Sequence, residues 1–163
     1  MNREAIRKLF DHADFVWGQV TQVLAREGGD ILAREAPGSG WPTLRNCLAH
    51  YLFAYERWLS ILTGEPQGTT SETVQTLTEI DSARSGFRRQ IDSILNSVSD
   101  DELQAVREFR IDEDRMPYSY AELITHVALH ERGHHGDITT LFWQLGIGIP
   151  SLDYRFHLRR SPL

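Results

Sequence analysis

The sequence predicts an all-α fold, a four-helix bundle, and three observations carry that expectation. Four long stretches place apolar side chains at the three-and-four spacing of one helix face. Residues that cap or stop helices stand at their ends. No stretch sustains a two-residue alternation bounded by hairpin turns. The connections are mostly short, which favours packing into a bundle.

The first helix is expected over residues 3–27. Ile6, Leu9, Phe10, Ala13, Val16, Trp17, Val20 and Leu24 form its stripe, and Gly28-Gly29 stops it. The second is expected over 42–63, with Pro42 in the first helical position and Gly64 as the stop. Its broad apolar face comprises Leu44, Cys47, Leu48, Tyr51, Leu52, Tyr55, Trp58, Leu59 and Leu62. The third is expected over 72–98, capped by Thr70 or Ser71. Val74, Leu77, Ile80, Phe87, Ile91, Ile94, Leu95 and Val98 keep its stripe. The fourth begins at Ser119, which with Glu122 has capping-box spacing. It runs to about Leu145, with Gly146 as stop and Pro150 beyond. Residues 108–117 read as extended chain or loop.

The 163 residues read as a single domain spanning 1–163. A formal charge of -6 argues against a general nucleic-acid binder, which would show a basic face. Arg155, Arg159 and Arg160 make only a small, solvated basic tail. Charges from Arg3 to Asp11 leave no signal-peptide core, and no window is long and apolar enough to span a membrane. The lone cysteine, Cys47, excludes an internal disulfide and fits a reducing compartment, so a cytoplasmic location is expected.

Against one cysteine stand seven histidines, four of them within ten residues. His126, His130 and His134 follow one another at i, i+4. Each step of four advances about 40° around a helix, so the three imidazoles share one stripe. Leu123, Val127, Ile138, Leu141 and Leu145 lie on or beside it, which predicts that the stripe faces the core. Imidazoles at this spacing can chelate zinc, nickel, copper or iron(II). The alternative is that each pairs with a neighbouring hydroxyl or carboxylate. A further ligand must come from another element, and His50, on the apolar face of the second helix, is the candidate. Cys47, one turn earlier, reads as a possible thiolate ligand or as a small buried filler.

His130-Glu131-Arg132-Gly133-His134 also fits the His-Glu-x-x-His pattern of zinc peptidases, in which the glutamate is the base. The extended form fails, because Asp137 and Thr140 stand where a glycine and a histidine are needed. Glu131 is therefore a weak catalytic candidate. Its other reading is a solvated carboxylate or one that supports a ligand. A di-iron site is set aside for want of a second Glu-x-x-His pair.

The segments LAHY around His50, HVALHERGHHGD over 126–137 and the ending GIGIPSLDYRF resemble the DinB/YfiT superfamily of small bacterial four-helix proteins. Its signature is a last helix of the form H-x-x-x-H-x-x-x-H-R-G-Q with a histidine early in the second helix. The resemblance implies that His50, His130 and His134 are the metal ligands and that His126 is a neighbour. It implies a divalent metal, nickel or zinc first and iron or manganese next, and a homodimer. It further implies a small-molecule substrate, with a low-molecular-weight thiol in a transferase-type reaction. A non-enzymatic metal-binding stress-response protein is the alternative, and a metal-dependent hydrolase a lesser one. His135 replaces the pattern's arginine and Asp137 its glutamine. Asp137, one turn beyond His134, can orient a ligand imidazole.

Overall fold

The structure is a computed structural model that describes residues 1–38, 40–149 and 151–158. Its long helices are α1 (Arg3–Glu27), α2 (Leu44–Thr63), α4 (Leu77–Ser97) and α6 (Tyr120–Gln144). Short helices α3 (Thr70–Thr73), α5 (Asp100–Gln104) and α7 (Tyr154–Leu158) lie between or after them. A hairpin of β1 (Arg107–Ile111) and β2 (Asp114–Tyr118) precedes α6. The protein is mostly helical, as expected, with one small sheet among the described residues.

Helix α6 packs on α1 and α2, and α4 packs on the same two helices. The shared core takes Ile6, Phe10, Val16 and Val20 from α1 and Leu44, Leu48 and Leu52 from α2. Ile80, Ile91 and Leu95 from α4 and Ile124, Ile138 and Phe142 from α6 complete it, all fully out of solvent. Each such side chain contributes about 1.5–3 kcal/mol by burial. The Trp17 indole donates to Asp81 Oδ1 at 2.6 Å, so this buried polar tip is satisfied across α1 and α4.

Helix α1 has its expected bounds, and Gly28, at φ 87°, adopts a positive-φ conformation at the stop. Three expectations need correction. Pro42 lies outside α2: Thr43 caps the helix by accepting from the Asn46 N–H, and the Pro42 carbonyl accepts from Ala36 N–H instead. The third stretch is not one helix. Thr76 starts a new one with a capping box, its hydroxyl accepting from Glu79 N–H while Glu79 accepts from Thr76 N–H. Neither Thr70 nor Ser71 caps α3; the Ser71 hydroxyl donates to buried Glu56 at 2.6 Å. Residues 108–117 lie within the hairpin, closed by Asp112-Glu113 with Asp112 at φ 57°. Its alternation was weak because only Phe109 is buried. Pro150 and Arg159-Arg160 lie outside the described residues.

Candidate metal centre

Helix α6 starts on the Ser119–Glu122 capping box expected from the sequence, which fixes where its histidines fall. The stripe does not face the core throughout. His126 is exposed, His130 half-buried, and His134 only 6% exposed. Because each turn advances about 40°, the stripe winds from the rim of α6 into its packed face. His50 also departs from expectation, for it is exposed. It sits beside the buried positions Cys47, Tyr51 and Ala54 of α2, at the edge of that face rather than within it.

The packing of α2 on α6 brings His50, His130 and His134 together. One nitrogen from each ring lies within 4.8 Å of the others. Ring centroids are 4.6 Å apart for His130 and His134, 5.2 Å for His50 and His134, and 6.5 Å for His50 and His130. His126 does not join this set. It lies 5.7 Å from the His130 ring and packs edge-on to Trp58 at 4.4 Å. Trp41, 5.0 Å from His50 and 6.0 Å from His134, and Phe53, 6.1 Å from His50, wall the mouth.

The surroundings keep the buried rings neutral. Burial, then the neighbouring His134, His126 and His50, hold His130 down to about 4, and burial likewise lowers His134. Nδ1 of His134 lies 3.1 Å from Asp137 Oδ2. Its Nε2 is buried without a hydrogen-bond partner. Three converging imidazoles, one with an otherwise orphaned nitrogen, are a donor set that fits a divalent cation of the zinc or nickel type. His50, His130 and His134 would hold it. Asp137, with His134, lies also within 4.8 Å of the Cys47 sulfur. Burial foremost, then the charge of Asp137, pushes the Cys47 thiol up to about 12.

Glu131 is neither solvated nor at the mouth. Its side chain is 0% exposed and turned into the core. Oε1 accepts from Tyr51 at 2.7 Å and from Arg84 Nη2 at 2.7 Å, and Oε2 accepts from Tyr55. Arg84 also pairs with Asp14 at 2.6 Å, so the network joins α1, α2, α4 and α6. Burial raises the Glu131 carboxyl, but Arg84, His135 and the two tyrosines outweigh it and hold it below its usual value. A carboxylate so engaged is no free base for a water at the histidines. Sequence reasoning missed Arg84, Tyr51, Tyr55 and Asp14 as its partners. The available signal was Arg84 itself, a charge within the apolar stripe between Ile80 and Phe87. His135 is also fully buried, with Nε2 3.6 Å from Glu131 Oε1.

Fold and site define a helical protein whose converging histidines form a candidate metal centre. The DinB family model matches residues 1–161, and the chain belongs to the DinB family. Members of that family typically bind metal, and the histidine set here is a possible site for one. No curated protein matches the chain. No helix among the described residues is long and apolar enough to cross a membrane.

Proposed function

We propose that the chain is a four-helix bundle of the DinB type that binds one divalent metal ion and uses it in a thiol-linked transfer reaction. His50, His130 and His134 are the ligands. Nickel or zinc suits three imidazole ligands best, and iron or manganese follows. The observation that carries this reading is the convergence of the three rings, one of which, His134, has a buried Nε2 without a hydrogen-bond partner. Three protein ligands leave a coordination position free, the pattern of reactive rather than purely structural sites.

When bound, the metal supplies Lewis acidity that ionises a thiol at neutral pH. The chain's own groups prepare the site. Asp137 accepts the Nδ1 proton of His134, which fixes the tautomer and leaves the Nε2 lone pair for binding. Trp41 and Phe53 offer apolar walls to a small substrate beside the rings. His126 and Trp58 extend that wall by one turn. The substrate is a small molecule and the co-substrate a low-molecular-weight thiol. The net charge of -6 disfavours nucleic acid as a partner. A cytoplasmic homodimer is the working assembly.

Untagged protein loaded with Co2+ tests this. A low-molecular-weight thiol is expected to shift the visible spectrum, and His130→Ala is expected to remove that thiol-induced shift. A spectrum indifferent to thiols, with metal still bound, would refute the transfer reaction and leave a non-enzymatic metal-binding protein of stress response.

A further inference from the structure

We propose a second, sulfur-containing cation site, formed by Cys47, His134 and Asp137 and lying back to back with the three-histidine set. The Cys47 sulfur, a His134 ring nitrogen and an Asp137 carboxylate oxygen all lie within 4.8 Å of one another. The placement follows from helix geometry. Cys47 stands one turn before His50 on α2, and Asp137 one turn after His134 on α6. The two ligand sets are thus displaced by one turn along the same pair of helices, and they share His134.

That shared ring has two different edges. Nδ1 faces Asp137 at 3.1 Å, while Nε2 is buried without a partner. In the proposed arrangement Nδ1 serves the sulfur site and Nε2 the histidine site. With only the sulfur site filled, the ring proton moves to Nε2. With both filled, the ring is an imidazolate bridge and its proton passes to water. The Cys47 proton also passes to water as sulfur joins the cation.

The donor set names the ligand class. A thiolate and an imidazole select zinc, cadmium or copper(I) over the oxygen-seeking magnesium and calcium. Thiolate and carboxylate together balance the two charges of a divalent ion. Cys47 is fully buried, whereas the Asp137 side chain is 44% exposed, so the cation enters past the carboxylate.

This site goes beyond the transfer reaction proposed above and does not depend on it. Cadmium titration of the reduced, untagged protein tests it, read by bound metal and by the thiolate-to-cadmium absorption. The wild type is expected to bind two Cd2+ per chain and to show that absorption. His130→Ala is expected to keep one Cd2+ and the absorption, because His130 belongs only to the histidine set. Cys47→Ser is expected to keep one Cd2+ and lose the absorption. Wild-type protein that binds cadmium without the sulfur absorption overturns the proposal, and needs no variant to fold. An absorption unchanged in Cys47→Ser does so as well. Failure of the histidine site alone would instead leave the sulfur absorption intact in every chain that retains Cys47.

Discussion

Asp137 lies 3.1 Å from Nδ1 of His134 and thereby decides which edge of that imidazole stays free. Removing its charge loosens the ring and weakens the lone pair on Nε2. Asp137→Asn is expected to lower Ni2+ affinity by about 10–100-fold, as loss of a supporting carboxylate does elsewhere. Competition against a coloured chelator at fixed pH measures this. An unchanged affinity would mean that Asp137 is only a neighbour of the ring.

Glu131 and Arg84 form a fully buried pair at 2.7 Å. Breaking it from one side strands a charge in the core, at a cost of about 3–5 kcal/mol. Asp14 remains as a partner for Arg84, which puts Glu131→Ala toward the lower end. Glu131→Gln keeps the side-chain shape and one acceptor oxygen for a tyrosine hydroxyl, and is expected to lose less. Urea midpoints of the two variants check the order. If Glu131→Ala proves as stable as the wild type, the network does not hold the helices together.

Acid should destabilise the fold in two separate windows. His12 sits under the C-terminal segment, with Nε2 3.2 Å from the Leu152 carbonyl oxygen and its ring 5.0 Å from Tyr154. Burial foremost lowers it from 6.5, so its neutral form favours the folded state. That contribution is complete above the unfolded value of 6.5 and fades as pH falls below it. Glu131 is lowered from 4.5 by groups that together outweigh burial, so its contribution is lost only at pH below 4.5. Stability measured by urea from neutral to acid pH is expected to decline in both windows. Burial also lowers His130, His134 and His135, which share the upper window, so His12→Phe should flatten that decline in part, and Glu131→Gln the lower one. A His12→Phe profile that matches wild type would disprove the first assignment.

The parts of the fold legible in the sequence were those written in local rules. Gly28, the Ser119–Glu122 box and the stripe of α1 each act over a few residues, and α1 and the start of α6 came out as read. Thr76–Glu79 is the same kind of signal, yet the apolar stripe ran across it and masked a helix start. The hairpin was hidden because its faces are mostly exposed, and its turn uses Asp112-Glu113 rather than a glycine.

The candidate site divides in the same way. Spacing on α6 put His126, His130 and His134 in one row, but spacing does not say how deep a row lies. That depth comes from the packing of α2 on α6, which left His50 and His126 exposed and buried His134. Glu131 differs by one residue from His130 and points to the core, where Arg84 and two tyrosines wait on other helices. Contacts across such sequence distances have no local signature.

The most direct test of the metal centre is the Ni2+ affinity of the untagged protein beside His50→Ala and His130→Ala. Neither ring is fully buried, so both variants should fold with thermal midpoints near wild type. The account predicts that each variant loses more than about a hundredfold in affinity, beyond the cost of a supporting carboxylate. Nickel bound as tightly by both variants as by the wild type would contradict it.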